Sequence, residues 1–272
     1  MTGPLLTQKV QHALQSAART GALTVECSLD LEWTRTVVEV SIAAWIWRGQ
    51  RFPYLDDCKD RTIYHWIDDT FQPVARFTSS LIKLVPTEWG PPTFEIDGIK
   101  MLPTAHGSPY LDAERKVGLI QPRDKVILDT CGGLGYFAAW CLLGRARQVL
   151  SYEKAADVIW LRGLNPWSPD AGGGLTLMQG DIAEQIVMLP ANSIDAILHD
   201  PPRFGIAGEL YSQVFYDQLA RVLKRKGNLF HYTGAPNKLT SGRDVPNEVV
   251  KRLRHAGFVA ALHGDGILAS KR

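Results

Sequence analysis

Beyond Thr104 short apolar runs alternate with amphipathic stretches, punctuated by Gly, Pro, Asn and Asp. Strands of a parallel sheet are buried on both faces and so read as continuous apolar runs, with helices between them. Strands are predicted at Lys125–Asp129, Gln148–Tyr152, Leu175–Met178, Asp195–His199 and Asn228–Tyr232. Helices are predicted at Tyr136–Leu143, Lys154–Leu161, Ile182–Met188, Glu209–Leu223 and Pro246–His255. The C-terminal stretch, Phe258–Leu262 and Ile267–Ser270 around His263-Gly264-Asp265-Gly266, reads as a hairpin. The expected class is α/β, with a mostly parallel sheet and a terminal antiparallel hairpin.

The first hundred residues follow another pattern. A helix fits Leu6–Ala18, and Val- and Trp-rich strand-like runs follow at Leu23–Leu29 and Thr36–Ile46. Phe94–Met101 places Asp97-Gly98 between apolar residues, a hairpin signal. Residues 1–104 are therefore read as a small β-rich domain and residues 105–272 as the α/β domain. Five of the eight tryptophans (Trp33, Trp45, Trp47, Trp66, Trp89) fall in the first. They read as its core or as an aromatic cage for a cation.

Composition narrows the class without naming a partner. With 45% hydrophobic and 21% charged residues the chain is ordinary globular protein. Cys27, Cys58, Cys131 and Cys141 show no CxxC pair and no metal-ligand spacing with histidine, which suits free thiols in a reducing compartment and no metal site. Met1–Gly21 is polar and does not read as a signal peptide, and no apolar run reaches the ~18 residues of a membrane span. A cytoplasmic protein with no membrane partner is expected. Net charge is +2, with ten Lys/Arg against twelve Asp/Glu in residues 1–104 and twenty against sixteen beyond. Neither part has the basic excess of a nucleic-acid footprint. Lys224-Arg225-Lys226 reads as a solvated helix end.

The chemistry lies at strand ends. Val126-Ile127-Leu128-Asp129-Thr130-Cys131-Gly132-Gly133-Leu134-Gly135-Tyr136 runs a buried strand into a Gly-rich turn that opens a helix, where the backbone can approach a ligand at the sheet's carboxyl edge. Glu153 ends the next strand, where an acid can accept both ribose hydroxyls of a nucleoside or merely cap the following helix. Gly180-Asp181-Ile182 follows the third strand, and Asp181 can cap a helix, bind a ligand, or both. His199-Asp200-Pro201-Pro202-Arg203-Phe204 ends the fourth, in a loop that two prolines stiffen. His231 ends the fifth, as a proton acceptor or a packed histidine, with Tyr211, Tyr216 and Tyr232 expected nearby.

In this order the features resemble class I S-adenosylmethionine-dependent methyltransferases, whose sheet is Rossmann-like, over roughly residues 117–272. The likeness is especially to an archaeal-type group of predicted methyltransferases sharing D-T-C-x-G-L-G-Y (Asp129–Tyr136), N-P-W-S (Asn165–Ser168) and H-D-P-P-R-F (His199–Phe204), with Ala207–Ser212 and Phe230–Gly234 in the same likeness. It implies S-adenosylmethionine as cofactor and S-adenosylhomocysteine as product. It implies that Asp129, Cys131, Gly133, Gly135, Tyr136, Glu153, Lys154, Asp181, Ile182, His199 and Asp200 hold the cofactor, Asp181 taking the adenine amine and Ile182 packing on the ring. Cys131 stands where the family loop has its first glycine. The segment Asp200-Pro201-Pro202 resembles the D/N-P-P-Y motif of amino-methyltransferases, in which the acid or amide oxygen and a carbonyl beside the prolines accept from the target nitrogen. Asp200, Pro201, Arg203 and His231 are the catalytic candidates. Arg203 replaces the motif's stacking aromatic, so either Phe204 stacks or Arg203 meets an anionic group.

The resemblance implies N-methylation of an amine- or amide-bearing acceptor. Closely spaced Asp56, Asp57, Asp60, Asp68 and Asp69 favour a small amine over RNA, if the first domain covers the site. Three rivals stay open. One is a spermidine-synthase-like aminopropyltransferase, whose small N-terminal domain also ends in an Asp-Gly hairpin. The second is a tRNA or rRNA N-methyltransferase, and the third a cofactor-binding module that serves a partner protein. A homodimer is compatible with all of them.

Overall fold

The computed structural model describes residues 3–105, 107–234 and 244–272. Two compact units emerge: Met1–Tyr110 with Trp160–Trp167, and Leu111–Ile159 with Ser168–Arg272. The first unit thus extends a few residues past the expected break and includes an eight-residue block that the sequence division placed in the second.

In the first unit the helix spans Gln8–Arg19, two residues later than expected. Leu5–Leu6 instead forms a short strand, and Thr7 caps the helix by accepting from the Val10 N–H. The run Thr36–Ile46 is two strands, Thr36–Val40 and Trp45–Trp47, because Ser41 closes a turn onto the Ala44 carbonyl (2.8 Å). Together with Thr24–Cys27 and Gln50–Phe52 they make one antiparallel sheet, beside a three-stranded and a second four-stranded sheet. The Asp-Gly hairpin forms as expected: Ile96 pairs with Ile99, and both turn residues take positive φ (Asp97 49°, Gly98 77°). Trp45 is fully buried and stacked on Phe52 (centroids 4.4 Å apart), and Trp66 packs edge-on against Phe52 and Phe71. Trp45 is core, Trp66 is partly buried against it, and Trp33 is half exposed.

The α/β part of the chain, most of it in the second unit, starts with a helix that the hydrophobic pattern had not marked, α1 (Pro109–Ile120). There follow β1 (Val126–Asp129), α2 (Tyr136–Leu143), β2 (Gln148–Glu153), α3 (Ala156–Leu164), β3 (Leu175–Gln179), α4 (Ile182–Gln185) and β4 (Ile194–His199). Then come α5 (Gln213–Val222), β5 (Leu223–Tyr232), α6 (Val245–His255), β6 (Phe258–His263) and β7 (Gly266–Lys271). The seven strands form one sheet in the order β3-β2-β1-β4-β5-β7-β6, the first five parallel and the last two antiparallel. Strand order reverses between β1 and β4, the switch point at whose carboxyl edge open α/β sheets bind ligands.

Two expected helices are interrupted. Ile182–Met188 gives way to a 3-10 turn at Ile186. Glu209–Leu223 breaks at Ser212, whose hydroxyl accepts from the Phe215 N–H and so starts α5 afresh. Lys224-Arg225-Lys226 is not a helix end. It is the first part of β5, and the pairing with β4 slips between Ile194 and Ala196. Lys224 pairs with Asp195 at 2.6 Å, and Lys226 has a left-handed φ of 61°. The core of this unit gathers Leu128, Ile197, Tyr211, Tyr216, Leu219, Leu229 and Leu253 between sheet and helices.

Candidate active site

Parallel register explains why motifs far apart in sequence share one edge. Asp129 of β1 lies beside Ser151 and Leu198, Glu153 beside Gln179, and His199 beside His231. Beyond β1 the chain turns through Gly133 (φ 49°) and Gly135 (φ 81°), left-handed conformations that L side chains resist. Gly135 is the N-cap of α2. Cys131 has no positive φ, so the position where the family motif has glycine needs none here. Its thiol lies 3.8 Å from the Thr130 hydroxyl. Tyr136 is buried in the first turn of α2.

Polar groups at this edge are tightly engaged. Asp129 is fully buried and accepts from the Ser151 hydroxyl (2.8 Å). The Glu153 carboxylate bridges two backbone N–H groups, Gly133 to Oε2 and Ala155 to Oε1, each at 2.9 Å. It therefore ties the end of β2 to the glycine loop and also serves the start of α3. Asp181 does cap α4, accepting from the Ala183 N–H, and its other oxygen meets Lys154 at 2.7 Å. Ile182 is buried beside it. A left-handed glycine turn with an acid beside it at the switch point fits an adenosyl group.

The end of β4 holds a second cluster. His199 is fully buried. Its Nε2–H donates to the Leu210 carbonyl (3.1 Å), and Nδ1 accepts from the Thr130 hydroxyl (2.7 Å). Burial pushes its pKa down to about 3, so the ring is neutral. His231 is equally buried, with Nδ1–H donating to the Tyr232 carbonyl (2.9 Å) and Nε2 accepting from the Tyr216 hydroxyl (3.0 Å). Burial and the neighbouring His199 hold its pKa well below the ordinary value. Both nitrogens are committed and the ring resists protonation, which corrects the reading of His231 as a proton acceptor and makes it a packed histidine.

Past the two prolines the Pro202 carbonyl accepts from the Tyr211 hydroxyl (3.1 Å), and Phe204 packs edge-on against the Tyr211 ring (5.6 Å). Arg203 is exposed on the same loop. Asp200 is mostly buried, its Oδ2 3.4 Å from Lys116 Nζ, and among the described residues its Oδ1 has no hydrogen-bond partner. Lys116, on the unmarked helix α1, is the residue the sequence reading missed. It sits among Tyr110, Ala113, Val117 and Ile120, the buried face of α1, where a lysine in the sequence alone reads as solvated.

A family model described as S-adenosyl-L-methionine-dependent methyltransferase matches residues 168–241, which include Asp181, the Asp200-Pro201-Pro202 segment and His231. Over 199 residues the chain is 40% identical to the uncharacterised protein MJ1233 of Methanocaldococcus jannaschii, a match covering 72% of this chain and 68% of that one. Among solved structures it resembles a spermidine synthase in complex with the transition-state analogue AdoDATO (16% identity, TM-score 0.54, 72% of this chain and 70% of that chain). It also resembles the spermidine synthase of Thermotoga maritima (15% identity, TM-score 0.53, 75% and 76%). At such identities these two likenesses are of fold. The chain thus belongs to one family with that archaeal protein, and the match at residues 168–241 supports an S-adenosyl-L-methionine-dependent methyltransferase enzyme.

Proposed function

We propose that the enzyme methylates a nitrogen of an amine- or amide-bearing acceptor held at Asp200 and Pro201, a small molecule in preference to RNA. The observation that carries this reading is the Asp200 carboxylate at the end of β4, one oxygen tied to Lys116 and the other without a partner among the described residues, on a loop held by Tyr211. A nitrogen nucleophile must keep its lone pair for the methyl group while its N–H bonds are held by acceptors. Asp200 Oδ1 and the Pro201 carbonyl would serve, with alignment supplying most of the acceleration. After transfer the nitrogen sheds one proton, which the Asp200 carboxylate can accept. S-Adenosylmethionine supplies, when bound, a methyl carbon made electrophilic by its sulfonium. The glycine loop from Asp129 to Tyr136, Glu153 with Lys154, and Asp181 with Ile182 would hold it, with His199 packed behind Asp200. Arg203, exposed beside the prolines, would meet an anionic group of the acceptor.

The test is Asp200→Ala. Calorimetry with S-adenosylhomocysteine should show unchanged affinity, while transfer of labelled methyl to acceptor fractions falls about a hundredfold or more. Near-normal turnover would move the catalytic role away from Asp200. The likeness to spermidine synthases supports a second reading, aminopropyl transfer. Product from decarboxylated S-adenosylmethionine and putrescine would establish it in place of the first. An RNA acceptor would announce itself by transfer that weakens steeply with salt.

A further inference from the structure

Lys116 is only 1% exposed, and a lysine that deep persists where its charge is paired. Its ammonium lies 2.9 Å from Asp112 Oδ2 one turn earlier on α1, 3.4 Å from Asp200 Oδ2, and 3.8 Å from the centre of the Tyr232 ring. It thus reaches from α1 to the ends of both β4 and β5. Arg115, next to it, joins Asp112 (2.9 Å) to Asp265 (2.7 Å) in the β6–β7 turn. Besides Lys116, the charged or titratable groups around Asp200 are Asp112, Arg115, Asp265, Tyr232 and Cys131.

Resting on the reading above, we propose that Lys116 is a positioning residue for methyl transfer: it anchors Oδ2 of Asp200 so that Oδ1 is presented to the N–H of the acceptor. Two effects meet at this pair. Burial drives the Asp200 carboxyl up towards its neutral form, and the Lys116 charge opposes that drive. Burial drives Lys116 down, but Asp200 and Asp112 outweigh it and hold the lysine above its ordinary value, so it stays cationic. Without Lys116 nothing cationic contacts Asp200 directly among the described residues. The carboxyl would then protonate at higher pH, and its oxygen would swing free of the acceptor.

Two measurements on the full-length protein with S-adenosylhomocysteine bound or S-adenosylmethionine supplied decide the matter. Carbon-13 NMR of aspartate carboxyls, with Asp200 assigned through Asp200→Asn, should show the Asp200 titration moving up by at least one pH unit in Lys116→Met and returning in Lys116→Arg. Transfer of tritiated methyl to a deproteinised small-molecule cell extract should show its acid limb moving up by the same interval in Lys116→Met, with partial rescue in Lys116→Arg. A lysine that only supports folding would lower turnover equally at every pH. An unmoved Asp200 titration, or a uniform loss of turnover, overturns the proposal. Lack of transfer by the unmodified enzyme to that extract counts against the proposed acceptor instead, and the NMR titration then decides the role of Lys116.

Discussion

Glu153 shows how one side chain can serve fold and ligand together. Capping a helix and accepting ribose hydroxyls looked like alternatives in the sequence, yet the carboxylate that receives the Gly133 and Ala155 N–H groups ties the glycine loop to the start of α3 at the edge where a ribose would lie. Glu153→Ala should therefore weaken S-adenosylhomocysteine binding by about 1.5–3 kcal/mol, the range for hydrogen bonds to a charged group, partly through a loosened glycine loop. Isothermal calorimetry gives the number, and unchanged affinity would remove Glu153 from the cofactor site. Asp181 likewise caps α4 while facing Lys154. His231 is the contrary case. Its place at a strand end was legible, but whether its nitrogens were free depended on Tyr216, from a different helix.

The element that ties the site together is the β4–β5 pair with α5 packed on it. Between these elements lie two neutral imidazoles, His199 and His231, whose rings are 4.3 Å apart. In the unfolded chain each titrates near the ordinary histidine value of about 6.5, whereas folding depresses both. Below that pH the unfolded chain binds protons that the folded one refuses, so stability is full above about pH 7 and declines as pH falls. The slope approaches about 1.4 kcal/mol per pH unit for each such histidine. For His199 the decline continues down to about pH 3. His65, in the other unit, is depressed by burial and Arg76 and adds in the same sense. Urea unfolding between pH 7.5 and 5.5 should show this loss, and a flat profile would mean that the imidazoles are hydrated or charged in the fold. Helix breaks within this layer were hidden because Ser212 reads as a mid-helix polar residue until its hydroxyl is seen capping α5.

Across the molecule, cofactor binding and stability are linked, because a ligand that binds only the folded chain stabilises it by mass action. At a hundred times its dissociation constant S-adenosylhomocysteine should add about 2.7 kcal/mol and raise the melting temperature by several degrees. NAD, which a Gly-rich α/β turn can also suggest, should leave the melting temperature unchanged, and a shift with NAD alone would point to the wrong nucleotide. Among the described residues no helix is long and apolar enough to cross a membrane.

What the sequence determined by itself was local and periodic. Apolar runs marked the five parallel strands, Asp-Gly marked a hairpin, and the glycines after Asp129 marked a turn that needs left-handed backbone. Each is decided within a few residues by sterics and burial, so each survives without knowledge of neighbours. Only the tertiary structure decided the partners of buried polar groups. Lys116 is separated from Asp200 by the whole of β1 to β4, and a charge in a helix pattern reads as solvated until the sheet edge beside it is known. The same holds for Lys224, which looked like a helix end and proved to lie in a strand, where Asp195 receives its ammonium. Buried charges are set by what faces them across the fold, and that information is spread over segments distant along the chain.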